Sequence, residues 1–188
     1  MAEEQKYQIV PEGKIRDYID GTIRKDTPEE YVRQTVEKRL VIEHKYPKAR
    51  IAVEYPIKMG DGKKRADIVI FSEKSANEEQ LDQQNIVLII ECKKESVKPN
   101  DKGEGVAQLK TYMASCSNCI WGMWTNGKHK IVYQKVTDDK GRIHYEEAND
   151  IPSADGSNRA NERPKRGQMS KATDDNLLFT FRTCHDII

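Results

Sequence analysis

Glu91 and Lys93 stand two residues apart, directly after the apolar run Ile86 to Ile90. The run has five consecutive apolar residues, four of them β-branched, and is too short for a buried helix. It therefore predicts a strand that is covered on both faces. Side chains alternate along a strand, so Glu91 and Lys93 emerge on one face and Cys92 on the other. Charged groups at the end of a buried strand are costly unless they are paired or bind something. Either the site holds a cation and a phosphate, or Glu91 and Lys93 neutralise each other.

A further acid stands in the preceding apolar run, Ala66 to Phe71, where Asp67 lies at the entry. Two carboxylates from adjacent strands, brought within about 4 Å, would repel by about 4 kcal/mol at an effective dielectric near 20. A divalent cation removes that penalty, and oxygen ligands with few imidazoles suit Mg²⁺ or Mn²⁺. Lys93 would then reach the attacking water or the phosphate, as in metal-assisted hydrolysis.

Helices are predicted on both sides of these strands. Thr27-Pro28-Glu29-Glu30 combines an N-cap threonine, a proline at the first helical position and a glutamate three residues after the cap. The helix should run to about Tyr46, because Pro47 stops it. Apolar spacing predicts a second helix from about Gly103 to Ser115 and a short one near Ile15 to Ile23.

Further strands complete the predicted sheet. Ile51 to Ile57 alternates like a strand, and Cys119 to Thr125 is a further apolar run. Asn126-Gly127 is a two-residue hairpin signal that would pair the latter run with Ile131 to Gln134. A weaker strand includes Ile143 to Tyr145. The expected fold is an α/β domain with a mixed central sheet flanked by helices.

Length and composition place the protein among globular domains. At 188 residues, with 34% charged and 36% apolar residues, the chain can bury one core. A net charge of +1 argues neither for nor against nucleic acid. No export signal or bilayer-length apolar run is found, so we expect a cytoplasmic protein without a membrane partner, and reduced thiols at its four cysteines.

Composition also divides the chain. Residues 1–26 read as an N-terminal extension and residues 27–150 as the α/β domain. Residues 151–176 are polar and read as a flexible linker. Residues 177–188 read as the start of a further element that is cut short, which suggests a fragment of a longer protein.

Asp67 followed by Glu91-Cys92-Lys93, on this order of elements, resembles the PD-(D/E)xK nuclease superfamily, whose restriction-endonuclease-like core has the order αβββαβ. More narrowly, residues 27 to 135 are similar to the N-terminal nuclease domain of type I restriction enzyme R subunits. The segments that carry the resemblance are Pro28-Glu29-Glu30-Tyr31-Val32-Arg33-Gln34, Tyr46-Pro47, Arg65-Ala66-Asp67-Ile68-Val69-Ile70, Ile90-Glu91-Cys92-Lys93-Lys94, Gln108-Leu109-Lys110-Thr111-Tyr112 and Thr125-Asn126-Gly127. One departure is Ala66, where the name motif has a proline that does no chemistry.

The resemblance implies a metal centre. Asp67 and Glu91 would bind Mg²⁺ or Mn²⁺, with the Cys92 carbonyl as a further ligand. Lys93 would position the nucleophilic water. Glu37 matches an acid of the first helix that helps to hold the metal, although Glu37 and Arg33 also have the spacing of a surface ion pair.

The resemblance also implies contacts to DNA. Gln108 and Tyr112 match an extra motif of the type I group that lies near the active site and the DNA backbone; an ordinary helix face is the alternative. Basic residues around Asp67 and beyond the central strand either follow phosphates or form a solvated face: Lys63, Lys64, Arg65, Lys93, Lys94, Lys98 and Lys102.

The function implied is that of a Mg²⁺-dependent DNA endonuclease module of a restriction-modification enzyme. It would act on double-stranded DNA beside other domains or subunits of that complex. No Gly-x-x-x-x-Gly-Lys-Ser/Thr loop is found, so the chain is not itself the translocating ATPase. The tail Phe181-Arg182-Thr183-Cys184-His185-Asp186 resembles the lead-in to a DNA adenine methyltransferase region. The alternative is a non-catalytic nuclease-fold domain that binds DNA or docks subunits.

Overall fold

The computed structural model describes residues 9–72 and 82–155. Its helices and strands, in chain order, are β1 (Lys14–Arg16), β2 (Ile23–Lys25), α1 (Pro28–Ile42), β3 (Ile51–Met59), β4 (Gly62–Phe71), β5 (Ile86–Cys92), α2 (Val106–Ser115), β6 (Trp121–Thr125), β7 (Lys130–Thr137) and β8 (Ile143–Ala148). No helix in these residues is long and apolar enough to cross a bilayer.

Strands β3 to β8 form one six-stranded sheet in which they lie side by side in chain order. Neighbours are antiparallel except β5 and β6, which are parallel and are connected through α2. The mixed central sheet and the order α1-β3-β4-β5-α2-β6 confirm the fold expected from the sequence. Strands β1 and β2 form a separate antiparallel pair.

Strand β5 is covered on both faces, as its unbroken apolar run predicts. Ile90 and Cys92 share a buried cluster with Leu40 of α1. Ile89 shares the opposite cluster with Leu109 of α2. The sheet therefore lies between the two helices, and the polar end of β5 emerges between them.

The capping signal of α1 is confirmed. Thr27 is the N-cap, and its side-chain oxygen accepts a hydrogen bond from the Glu30 amide at 3.1 Å. The helix ends at Ile42 rather than near Tyr46, so the predicted end is wrong. Lys45 adopts a φ of 61°, which turns the chain out of the helical direction before the proline is reached.

The short helix expected near residues 15 to 23 is wrong, because this segment forms the β1–β2 hairpin. The Asp17 carboxylate accepts hydrogen bonds from the amides of Ile19 and Asp20. Gly21 then takes a φ of 72°, which completes the reversal. The buried Asp17 side chain thus hydrogen-bonds the backbone of its own turn, and this favours the turn over the helix that the local sequence predicts.

Helix α2 begins at Val106, later than the predicted Gly103. The Asp101 carboxylate accepts hydrogen bonds from the amides of Gly103 and Glu104, so these residues form a turn before the helix. Gly105 is the N-cap, and a Cβ at this position would lie 2.3 Å from the carbonyl oxygen of Pro99.

The hairpin signal at Asn126-Gly127 is confirmed as a hairpin but not as a two-residue turn. Thr125 pairs with Lys130, so the connection has the four residues 126–129. The Asn126 side chain accepts from the amides of Lys128 and His129, which stabilises the wider loop.

The packed region extends on both sides of the predicted 27–150 domain. In the N-terminal extension, the Tyr18 amide donates to the Gln34 side chain of α1 at 2.9 Å. At the other end, the Tyr46 hydroxyl donates to the Pro152 carbonyl, and Ile151 is buried. The rest of the predicted linker and the element expected at 177–188 lie outside the described residues.

Candidate active site

Asp67 and Glu91 meet where β4 and β5 leave the core. Ile68 pairs with Ile90 in the antiparallel ladder, and continuing that register by one residue brings Asp67 opposite Glu91. Lys93 Nζ lies 3.1 Å from Glu91 Oε2 and 3.4 Å from Asp67 Oδ2. The structure thus brings together the two acids and the amine that the sequence singled out.

The backbone holds these side chains in place. The Cys92 amide donates to Asp67 Oδ2 at 2.8 Å, and the Asp67 amide faces Glu91 Oε1 at 3.3 Å. The Lys93 amide donates to the Thr125 carbonyl at 2.8 Å, which continues the pairing of β5 with β6 past the strand end. Because main-chain groups supply these bonds, the site geometry follows from the sheet register.

The site carries more negative than positive charge. Glu91 is fully buried, and burial raises its pKa; the charge of Asp67 adds to this, while Lys93 opposes it. Burial alone would lower the pKa of Lys93, but the charges of Glu91, Asp67 and Glu29 outweigh burial and raise it. Lys93 is therefore a firmly held ammonium, and a further cation would relieve the repulsion between the acids.

A polar cavity of about 150 Å³ opens beside Asp67. The first turns of α1 and the middle of β3 line it together with the strand ends: Thr27, Glu29, Glu30, Arg33, Glu54, Asp67 and Cys92. Glu29 Oε1 lies 3.7 Å from Lys93 Nζ. Burial is the main reason why the pKa of Glu29 is raised. Sequence reasoning used Glu29 only as part of a helix start; its position beside Lys93 depends on how α1 packs on the sheet.

Glu54 is a site neighbour that the sequence did not indicate. It falls opposite Asp67 in the β3–β4 register and has a φ of 51°, which is rare for a residue with a side chain. Its carboxylate is 3.2 Å from each of three guanidinium groups, those of Arg24, Arg33 and Arg65. These pairs outweigh burial and lower the pKa of Glu54. The arrangement links the β1–β2 hairpin to the cavity through Arg24.

Glu37 lies elsewhere on α1. It is fully buried, and the Nε atom of Arg33 is 3.7 Å from its Oε1. Burial and the nearby charge of Asp17 raise the pKa of Glu37 to about 8. The structure groups Glu37 with Asp17 and Arg33, and Glu37 does not line the cavity beside Asp67.

Gln108 and Tyr112 form one hydrogen-bonded pair, as their spacing on α2 suggests. Gln108 Nε2 donates to the Tyr112 hydroxyl at 2.9 Å. Tyr112 is buried, and burial raises its pKa, with the charge of Glu91 adding to the shift. The pair therefore lies within electrostatic reach of the acids.

The donor set at the strand ends fits a hard divalent cation. In residues 9–72 and 82–155, no group of three or more His, Cys, Asp or Glu side chains is arranged to hold a metal ion. The side chains of Asp67 and Glu91 are oxygen donors at the strand ends, and Cys92 lines the cavity beside Asp67. Mg²⁺ is commonly held by one or two carboxylates while it keeps several waters or binds phosphate oxygens.

A family model described as type I restriction enzyme R protein N terminus (HSDR_N) matches residues 28–152. The chain belongs to this family. The match spans every element from α1 to β8, and so includes nearly all of the resemblance noted over residues 27 to 135. The type I restriction enzyme R protein N-terminus family places the chain among nuclease-related domains of restriction systems. Neither a curated protein nor a solved structure matches the chain.

Proposed function

We propose that this domain is a Mg²⁺-dependent endonuclease module that hydrolyses phosphodiester bonds of double-stranded DNA within a restriction-modification enzyme. One observation carries the proposal: the Lys93 ammonium lies between the carboxylates of Asp67 and Glu91, beside a polar cavity. Family membership supplies the restriction context.

Each residue has a distinct task in this proposal. Asp67 and Glu91 hold the metal, with the Cys92 carbonyl as a further oxygen donor. A bound Mg²⁺ would lower the pKa of water and stabilise the charge that develops on phosphorus. Lys93, kept charged by its two acidic neighbours, donates hydrogen bonds to the attacking water and to the phosphate oxygens.

A purely structural ion pair explains the site less well. Two acids approach one amine at the strand ends, and Glu29 adds another carboxylate nearby. Buried ion pairs seldom add net stability, and an excess of acids over the amine lowers it further. Such a cluster is expected where a cation and a phosphate are bound.

Cleavage of supercoiled plasmid with Mg²⁺ or Mn²⁺ tests the proposal. Asp67→Asn removes a charge with little change of shape, and Lys93→Ala removes the amine. We expect each variant to cleave about 10²- to 10⁴-fold more slowly than the unchanged chain. Lys140→Ala, in the turn between β7 and β8, is the matched control for removal of one lysine. Equal rates for all four proteins would leave the domain a non-catalytic DNA-binding or docking module.

A further inference from the structure

The six-stranded sheet has two edges, and they differ in how well they are protected. Strand β3 forms one edge and contains Pro56 and Glu54, whose φ is 51°. Proline cannot donate a backbone hydrogen bond, and a positive φ interrupts the extended backbone, so both residues hinder the addition of a further strand. Strand β8 forms the other edge. Neither feature occurs in it, and it pairs with β7 in an unbroken register.

The outer side of β8 can accept another strand. Within residues 9–72 and 82–155, β7 is the one strand that lies beside it. In an antiparallel pair, alternate residues direct their N–H and C=O groups away from the partner strand. About half of the backbone groups of β8 therefore point outward, and such an edge is a template for a further strand.

The two faces of β8 differ in polarity. On one face, the Tyr145 hydroxyl donates to a main-chain carbonyl of α2 at 3.2 Å, and the Tyr145 ring packs edge-on against Tyr133. Ile143, two residues earlier, lies on this same face and is 57% exposed. The opposite face carries His144 and Glu146, whose Nε2 and Oε1 atoms are 3.3 Å apart. A matching strand would be apolar on the α2 side and would carry a positive charge on the other.

The segment 177–182, which lies outside the described residues, has this alternation. Its odd-numbered residues are all leucine or phenylalanine, and its even-numbered residues are Leu178, Thr180 and Arg182. In an extended chain these two sets lie on opposite sides. The apolar set suits the α2 side of β8, and the Arg182 guanidinium suits the side that carries Glu146.

Charge favours this segment over a second copy of β8. Two copies paired edge to edge would gather Glu146 and Glu147 of both chains at one interface, and like charges across a strand pair are destabilising. Residues 137–155, which include β8, contain six acids against two lysines or arginines. Residues 159–171, which precede the segment, contain five lysines or arginines against one acid. The acidic edge is therefore complementary to the chain's own basic stretch.

The length of the connection also allows the pairing. The structure describes the chain up to Asp155, so residues 156–176 connect it to the segment. These residues extend to about 70 Å at most. Six strands, at about 4.8 Å spacing, give a sheet roughly 30 Å wide. The segment can thus reach either edge of the sheet.

We propose that residues 177–182 of this chain pair with the outer edge of β8 as a seventh strand. Backbone hydrogen bonds would supply the attachment, and the alternating side chains would set the register. The added strand would cover the one edge that no proline or positive φ protects, and so would keep other chains from pairing there. The pairing does not depend on whether the domain cleaves DNA.

Hydrogen–deuterium exchange of the full chain, measured by mass spectrometry on a peptide with residues 143–148, tests this pairing. Leu178→Pro/Phe179→Pro is the test variant. Neighbouring amides of a strand point to opposite edges, so one of the two prolines must remove a bond to β8. Ala160→Pro/Asn161→Pro is the matched control, because it places two adjacent prolines in the connection. About half of the β8 amides should exchange about tenfold or more faster in the test variant than in the control.

The outcomes are distinct. Protection of β8 in the unchanged chain and in the control, together with its loss in the test variant, supports the seventh strand. Equal exchange of β8 in all three proteins overturns it. Protection that rises with protein concentration, with a doubled mass by light scattering, also overturns it, because the edge would then be covered by a second copy.

Discussion

The Cys92 amide donates a 2.8 Å hydrogen bond to Asp67 Oδ2. An asparagine at position 67 can still accept that bond through its amide oxygen, so the strand ends should keep their geometry when the charge is removed. Asp67→Asn therefore removes the charge but keeps the hydrogen bond, so metal binding can be tested on a folded chain.

Asp67→Asn should weaken Mn²⁺ binding by about tenfold or more, because one of the two proposed carboxylate ligands loses its charge. Titration calorimetry measures this without any need for DNA. Glu37→Gln is the comparison on α1, since the family resemblance offered Glu37 as a metal residue while the structure groups it with Asp17. Equal reduction of affinity in both variants would show that Glu37 also takes part in metal binding.

Glu37 should make stability depend on pH. Its pKa is about 8 in the folded chain, against an ordinary value of about 4.5. Between these values the folded state binds more protons than the unfolded state, so stability is lost as pH rises from about 4.5 through 8. Glu37→Gln should raise the melting temperature by a few degrees at pH 8 and by less at pH 5. Exposed Glu43 gives the control variant, Glu43→Gln, which should leave the pH dependence of the unchanged chain in place.

Asn126 should couple the β6–β7 loop to the segment after Lys93. Its Nδ2 donates to the carbonyls of Glu95 and Val97 at 3.1 and 2.8 Å, and the side chain is buried. Asn126→Ala leaves these carbonyls unpaired, so we expect a decrease of about 1–3 kcal/mol in unfolding free energy.

The same variant should also slow plasmid cleavage more than it weakens DNA binding, because the segment that follows Lys93 loses the two hydrogen bonds that hold it against the β6–β7 loop. Asn118→Ala is the matched control: Asn118 donates one exposed bond, to the Gln84 carbonyl. If the two asparagine variants have the same cleavage rate, Asn126 stabilises the fold without positioning Lys93.

Gly105→Ala should destabilise the chain by about 1–3 kcal/mol. The added Cβ would lie 2.3 and 2.5 Å from the carbonyl oxygens of Pro99 and Asp101, and backbone atoms cannot move aside easily. Gly103→Ala should have little effect, since its Cβ would be 3.7 Å from the nearest atom, in the Asp101 side chain. Urea titration of both variants compares them; equal midpoints would contradict the crowding at Gly105.

Much of the fold could be predicted because its signals are local. The Thr27 cap and the apolar run of β5 each depend on a few consecutive residues, and both elements formed as expected. The helix end at Ile42 could not be predicted, because a single positive φ at Lys45 ends α1. The β1–β2 hairpin could not be predicted either, because a buried Asp17 stabilises its turn.

The residues of the candidate site could likewise be predicted only in part. Asp67, Glu91 and Lys93 could be found because strand alternation and pairing place them. Glu29 and Glu54 could not, because their positions depend on how α1 and β3 pack around the strand ends, and no spacing in the sequence records that packing.

The pairing of β4 with β5 also bears on how such a chain can change in evolution. One extra residue between Asp67 and Ile70 would leave both strands hydrogen-bonded but turn the Asp67 carboxylate to the opposite side of the sheet. Such an insertion would also turn the buried Ala66 to the opposite side, so it would separate Asp67 from Glu91 and destabilise the strand at the same time. The approach of the two carboxylates would thus be lost although neither acid is replaced.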